Sequence, residues 1–261
     1  MIDAVVVTGG HPFAAEPFAD LLDALDGVRC RHVAHPDALD VFSPNGLGSA
    51  DVLVCYDMPG LRFRPGADPE LIEPSRRVVD GWAELLAAGI PVVLWHHAIA
   101  SWPAWAGFAD IAGGRFHYVP GRLHGMHWPD SGYRHDVEQT LTVVDPTHPV
   151  CDGLPAQFRL VDETYLCPVF DDALTPLLTT DAPRTDRDHF SARLAVNGRR
   201  GTNDGWSHPP GTTLAAWTHV VDRSTVVYVQ PGDGPSSYAN PHVRRLIGNA
   251  VTWAADTRSG S

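Results

Sequence analysis

Apolar runs separated by stretches of helical periodicity set out most of the chain. The run from Gly89 to Trp95 carries no polar alternation and stops at His96 and His97. That pattern suits a strand covered on both faces, followed by a helix. Val52 to Cys55, ending in Tyr56 and Asp57, and Ala4 to Thr8, ending in Gly9, Gly10 and His11, have the same form. Between these runs, Phe18, Leu21, Leu22 and Leu25 recur at helical spacing up to Gly27. Val78, Val79, Trp82, Leu85 and Leu86 do the same up to Gly89, a residue type favoured just past a helix end. Leu214 to Trp217 and Thr225 to Val229 read as a hairpin joined through Asp222-Arg223-Ser224, the second strand ending in Gln230-Pro231-Gly232-Asp233. A last helix is predicted from its cap Asn240 and first-position Pro241 through Val243, Leu246, Ile247, Ala250 and Ala254. Strands alternating with helices predict one α/β domain, with a mainly parallel central sheet flanked by helices and antiparallel edge strands. The domain is expected over residues 1–256, with 257–261 a loose tail.

The remaining segments are less regular. Pro59, Gly60, Pro65, Gly66 and Pro69 predict a loop between Met58 and Pro69, over the edge where the strands end. Trp102, Trp105 and Phe108 fall on one helical stripe, which suits packing against the sheet, and Trp102 lies close enough to the strand end to meet a ligand. Residues 113–136 read as a long irregular stretch whose density of histidines and aromatics is unusual for a connector. Thr140 to Val144 is a strand, Leu160 to Tyr165 follows, and Thr175 to Thr179 is strand-like. Residues 181–210, charged and glycine-rich, are expected as a surface excursion.

Composition narrows the function classes. Of 261 residues, 44% are hydrophobic and 19% charged, which places the chain among globular proteins. A net charge of −12 argues against nucleic acid, because phosphate binding depends on cations. The sequence offers neither a signal-peptide pattern nor an apolar run near the ~20 residues that span a bilayer, so a soluble cytoplasmic protein without a membrane partner is expected. The four cysteines, Cys30, Cys55, Cys151 and Cys167, form no CxxC pair.

Four strand ends thus present Gly10-His11, Tyr56-Asp57, His96-His97 and Gly232-Asp233. If these strands are parallel neighbours, their polar groups meet in one crevice, with loops carrying His135, Asp136, Asp162 and Glu163 closing over it. Adjacent histidines on extended backbone point to opposite faces, so His96 is expected to reach the ligand and His97 to pack or bond to backbone. His11, His96 and Asp233 are the candidate ligands for a zinc-like divalent ion, although no HExxH-type spacing supports them. No GxSxG or cysteine nucleophile motif stands at a strand end, which disfavours acyl-enzyme chemistry and leaves general acid and base work open.

With these residues in view, the chain resembles the ThuA-like (trehalose utilisation) family, whose fold is similar to class I glutamine amidotransferases and flavodoxin-like sheets. The resemblance is carried by Val7-Thr8-Gly9-Gly10-His11, Val93-Leu94-Trp95-His96-His97-Ala98, Gly113-Gly114-Arg115-Phe116, His148-Pro149, Asp162-Glu163-Thr164-Tyr165, Ala216-Trp217-Thr218-His219 and Val251-Thr252-Trp253-Ala254-Ala255. It aligns His96 with the family's strand-end histidine, and Asp162, Glu163 and Tyr165 with its DE-x-Y motif. One departure is that Gly232-Asp233 stands where many members have Gly-His. The resemblance implies sugar chemistry on oxidised disaccharides or 3-keto-glycosides, by a hydrolase or lyase. His96, Asp57 and Glu163 are then the expected catalytic groups. His11, Tyr56, Trp102, Arg134, His135, Asp162, Tyr165 and Asp233 are the expected substrate contacts. The rival expectation is a non-catalytic sugar-binding module on the same fold. A homo-oligomer is left open. Glutamine amidotransferase activity would need a reactive cysteine, and Cys55 lies inside a strand.

Overall fold

Apolar strands that cannot leave either face wet must be sandwiched by helices, and the computed structural model, which describes residues 1–259, shows that arrangement. The first half of the chain runs β1 (Ile2–Gly9), α1 (Ala15–Asp23), β2 (Val28–Ala34), α2 (Pro44–Leu47), β3 (Val52–Asp57), β4 (Leu61–Arg64), β5 (Ala67–Leu71), α3 (Arg76–Ala87) and β6 (Val92–Trp95). It continues with α4 (Ala106–Ala112), β7 (Gly121–Leu123), β8 (Met126–Trp128), β9 (Gly132–Val143), β10 (Gln157–Leu166), β11 (Thr175–Thr180) and β12 (Phe190–Ser191). The last elements are α5 (Ala192–Val196), β13 (Leu214–Val221), β14 (Ser224–Val229), α6 (Pro235–Ala239) and α7 (Pro241–Ser259).

One sheet of ten strands has the order β10-β9-β11-β13-β14-β6-β3-β1-β2, with β12 pairing to β9. From β14 through β6, β3 and β1 to β2 every pairing is parallel. The registers place Val229 beside Trp95 and Gly9 beside Asp57, so the carboxyl ends of these strands share one edge. From β14 outward through β13, β11, β9 and β10 the pairing is antiparallel. Alternate residues feed two cores. Val5, Val7, Leu53 and Leu94 join Trp82 and Leu85 of α3 on one face. Val6, Val54, Val93 and Trp95 join Phe18 and Leu21 of α1 and Val243, Leu246 and Ile247 of α7 on the other. Full burial of each large aliphatic contributes about 1.5–3 kcal/mol, so α7 is held chiefly by that face. Asn240 caps α7 as expected, its Oδ1 accepting from the backbone of His242 at 2.9 Å.

The sheet does not stay flat. Five pairings separate β10 from β6, which at ~4.8 Å each would put their axes about 24 Å apart. Yet Glu163 of β10 comes within 3.2 Å of His96, at the end of β6. The antiparallel half therefore curls back over the carboxyl edge of the parallel half.

Several local expectations change. Residues 58–69 are not irregular: Pro65 and Gly66, the latter at φ +69°, make the turn of the β4–β5 hairpin, so the breakers end two short strands. Within 113–136, His124 and Gly125, at φ +49° and +78°, turn β7 into β8, and residues 132–136 already belong to β9. Arg134, His135 and Asp136 therefore lie on a strand and not in a loop, as do Asp162 and Glu163 of β10. After β6 the chain makes a 3₁₀ turn over His96–Ala100, and α4 starts only at Ala106, so Trp102 precedes it at φ +47°. Helix α7 runs through Thr257, Arg258 and Ser259, where a loose tail was expected, and Arg258 Nη1 donates to the carbonyl of Ala50 at 2.7 Å. Gly260 and Ser261 lie outside the described residues. No helix among the described residues is long and apolar enough to cross a membrane.

Candidate functional site

The end of β6 sets the site. His96 takes φ +53°, a left-handed conformation that costs a non-glycine residue energy and persists only where its surroundings fix it. They do so here. The Tyr228 hydroxyl donates to the His96 carbonyl at 2.9 Å, and His96 Nδ1 donates to the carbonyl of Gln230 at 2.6 Å. A carbonyl can only accept, so Nδ1 carries the proton and Nε2 is the nitrogen turned to the site. Around Nε2 stand Glu163 Oε2 at 3.2 Å, Asp233 Oδ1 at 3.4 Å and the Tyr165 hydroxyl at 2.8 Å.

Each partner is placed by a local device. Asp162 accepts from the backbone of Gly232 at 2.7 Å and of Asp233 at 3.1 Å, which pins the turn after β14 and holds Asp233 forward. Between Asp162 and Thr164 the β9–β10 register shifts, and Asp136 takes φ +54°. Such a bulge re-aims side chains next to sites, and here it sets His135 against Glu163. His135 Nδ1 lies 3.3 Å from Glu163 Oε1 and 3.5 Å from Asp233 Oδ2. The group is thus two imidazoles and two carboxylates drawn from β6, β9, β10 and the turn after β14. Burial opposes charge on His96, but its contacts with Asp233 and Glu163 outweigh that and push it up to about 10. Burial likewise disfavours charge on Asp233, yet His135 and His96 hold its carboxyl well below the usual carboxylate range. The hydrogen bond to Asp233 raises His135 above its ordinary value.

Over this group lies a cavity of about 470 Å³. Its polar lining includes His11, His97, His135, Glu163 and Tyr165; Phe116, Tyr118, Tyr133 and Phe190 line it with rings; and Arg134, Asp136 and Arg200 add charge. Arg134 stacks its guanidinium over Phe190, 4.4 Å from the ring centre. Aromatic faces with a few convergent polar groups are what a sugar-sized ligand uses.

Set against the sequence, His11, Arg134, His135, Glu163 and Tyr165 line the cavity, while His96, Asp162 and Asp233 form or brace the group beside it. Three expected residues lie elsewhere. Asp57 is buried and accepts from His35 Nε2 at 2.7 Å, Tyr56 is buried with its hydroxyl bonded to Tyr238 and the Gly232 carbonyl, and Trp102 packs in the core. All three side chains are claimed by the interior, so none lines the cavity. The paired histidines also exchange places. Because the backbone turns at His96 and does not extend, His97 reaches the cavity while His96 is fully buried. His97 does bond to backbone, donating from Nε2 to the Tyr56 carbonyl at 3.3 Å, and its ring lies against His11 with centroids 4.3 Å apart and planes tilted by 30°. The metal-type group is His96, Glu163 and Asp233, so Glu163 takes the place expected of His11. Residues 181–210 are not a mere surface excursion, since Phe190, Ala192, Ala195, Val196 and Arg200 line the cavity. Nothing in their own pattern announces this. Cys55 is fully buried, and burial pushes its thiol well above the ordinary value, so it is no nucleophile.

Comparisons with known proteins bear on the family and the fold. The family model described as ThuA, trehalose utilisation, matches residues 11–254. None of the curated proteins matches the chain. Among solved structures, the chain is similar to a protein described as ThuA-like from Parabacteroides merdae, with a TM-score of 0.65 and 15% identity over 97% of this chain and 90% of that one. A ThuA-like protein from Bacteroides uniformis gives a TM-score of 0.60 and 17% identity over 97% and 91%. Agd3, described as a carbohydrate deacetylase, gives 0.51 and 14% over 89% of this chain and 30% of that one. At these identities the likeness to the solved structures is one of fold.

Proposed function

The chain belongs to the ThuA (trehalose utilisation) family, and from that premise we propose that it is a carbohydrate-processing enzyme, a hydrolase or lyase acting on a 3-keto-glycoside or related sugar. The observation that carries the reading is His135, which lines the cavity with its Nδ1 against the carboxylates of Glu163 and Asp233. Nδ1–H directed at carboxylates fixes the tautomer and leaves Nε2 as the basic nitrogen.

A ketone acidifies the neighbouring C–H. His135 Nε2 takes that proton, the electrons form an enolate, and collapse of the enolate breaks the bond to the glycosidic oxygen. The protonated His135 then gives the same proton to the departing oxygen. The lyase outcome stops at the unsaturated ketosugar, and addition of water across its double bond gives net hydrolysis. Glu163 positions His135 and stabilises its imidazolium, while His11 and Arg134 supply polar contacts to sugar hydroxyls.

The test is turnover of oxidised and ordinary glycosides, read by product mass. The expected result is conversion of keto-glycosides and a fall of roughly 10²–10⁴-fold in His135→Ala. Binding without turnover would identify a sugar-binding module instead, and unchanged turnover in His135→Ala would remove the proposed base.

A further inference from the structure

We infer that His96 Nε2, Glu163 Oε2 and Asp233 Oδ1 form a binding site for one first-row divalent cation, of the zinc or manganese class. The inference rests on the geometry of these three groups and not on the sugar reading.

The first argument is spacing. A hydrogen bond between charged groups settles at about 2.7–2.9 Å. The Nε2 to carboxylate distances are 3.2 and 3.4 Å, and the outer pair from His135 is 3.3 and 3.5 Å. All four are longer than that, although the His96–Glu163 pair still has hydrogen-bond geometry at 3.2 Å. Two ligands bound tetrahedrally to one ion at about 2.0–2.1 Å stand roughly 3.3–3.4 Å apart, which is the observed edge. The three ligand atoms all lie within 4.8 Å of one another.

The second argument is outer support. Metal-binding histidines hand their other N–H to an acceptor that fixes ring and tautomer, and His96 Nδ1 does this to the Gln230 carbonyl at 2.6 Å. The Gln230 side chain donates to the Glu163 carbonyl at 3.3 Å, and Asp162 holds the backbone of Asp233. His96 and Glu163 are 0% and 6% exposed in their side chains. A dication can take the place of the proton at His96 Nε2 and balance the two carboxylates that converge on it, since metal binding releases protons from its ligands. Mixed imidazole and carboxylate donors suit zinc, manganese or cobalt better than the all-oxygen preference of calcium.

The Tyr165 hydroxyl, 2.8 Å from the same Nε2, competes with the ion for that lone pair and gives way to it. His135 touches the opposite oxygens of both carboxylates, so it stands outside the ion.

Full-length protein, stripped with a chelator, is loaded with Zn²⁺ or Mn²⁺ and dialysed. Metal is counted by elemental analysis, and affinity is read by competition with a chromophoric chelator. One ion per chain is expected. The near-isosteric Glu163→Gln and Asp233→Asn should weaken binding beyond the roughly 10–100-fold that loss of an outer partner costs. Asp233→His, which puts a ligand nitrogen in place of a ligand oxygen, should keep the ion, as should His135→Ala, and Tyr165→Phe should bind at least as tightly as wild type. Circular dichroism checks that each variant folds. No stoichiometric ion in the loaded wild type, or equal affinity in folded Glu163→Gln and Asp233→Asn, overturns the site. No sugar enters the measurement. His135→Ala that keeps the ion but loses turnover therefore separates this inference from the acid-base reading.

Discussion

Arg184 donates from Nη2 to the side-chain oxygen of Gln230 at 2.9 Å, and its Nη1 donates to the carbonyl of Tyr165 at 2.7 Å. It is 5% exposed, so a single side chain ties the strand bearing Glu163 to the residue whose carbonyl orients His96. Burial pulls its guanidinium down to about 10. Replacing it by leucine strands two buried acceptors, and Arg184→Leu is expected to lower stability by about 1–3 kcal/mol. Urea unfolding measures this, and a midpoint equal to wild type would show that the tie carries no weight.

Asp57 makes a different prediction from the one its strand-end position suggests. It is bonded to His35 and lines no part of the cavity, so its role is structural. Asp57→Ala should cost about 1–3 kcal/mol by leaving His35 unpaired beside a small void. Turnover per folded molecule should change less than about threefold. A larger drop in kcat for fully folded protein would return Asp57 to the reaction.

Stability should fall in mild acid. Burial, reinforced by the positive charges of Arg115 and Arg184 respectively, pulls His117 and His189 down to about 4. In the unfolded chain both titrate near 6.5, so between about 4 and 6.5 the unfolded state binds protons that the folded state refuses. The contribution is fully present above that window and is lost as pH drops through it, on the order of 2 kcal/mol per histidine. Denaturation midpoints at pH 7 and pH 4.5 test the sign, and a more stable protein at the lower pH would contradict it.

Gly232 admits no side chain. Its φ is +145°, and a Cβ there would lie 2.1 Å from Trp95 Nε1, whose N–H donates to the Pro231 carbonyl at 2.6 Å. Gly232→Ala must move the indole or the turn that carries Asp233. A loss of about 2–4 kcal/mol is expected in thermal unfolding. A melting temperature within a degree of wild type would show that the turn yields freely.

The parallel half of the fold was legible because its strands and helices obey simple periods. Val92 to Trp95, Val52 to Cys55 and the apolar face of α7 each announce themselves without reference to anything distant. The site was legible only as a set of strand ends. That His11, His96 and Asp233 gather at one edge follows from parallel pairing. That Glu163 joins them does not, because β10 arrives by the curl of the antiparallel half, which depends on bulges and register rather than composition. The exchange of His96 and His97 has a similar origin. One left-handed residue reversed the alternation that extended backbone would impose. Asp57 and Tyr56 show the converse limit: a polar residue at a strand end is also the nearest partner for the interior, and His35 and Tyr238 claimed them.

The curled half of the sheet has a further implication for how such proteins can diverge. Residues 132–201 furnish Arg134, His135, Glu163, Phe190 and Arg200, whereas the parallel strands furnish packing, the fixed imidazole of His96 and the His11 and His97 rings at the cavity floor. Substitutions in the overarching flap can thus retune which ligand is admitted while the platform beneath keeps its register. New specificities on this scaffold should accumulate there first.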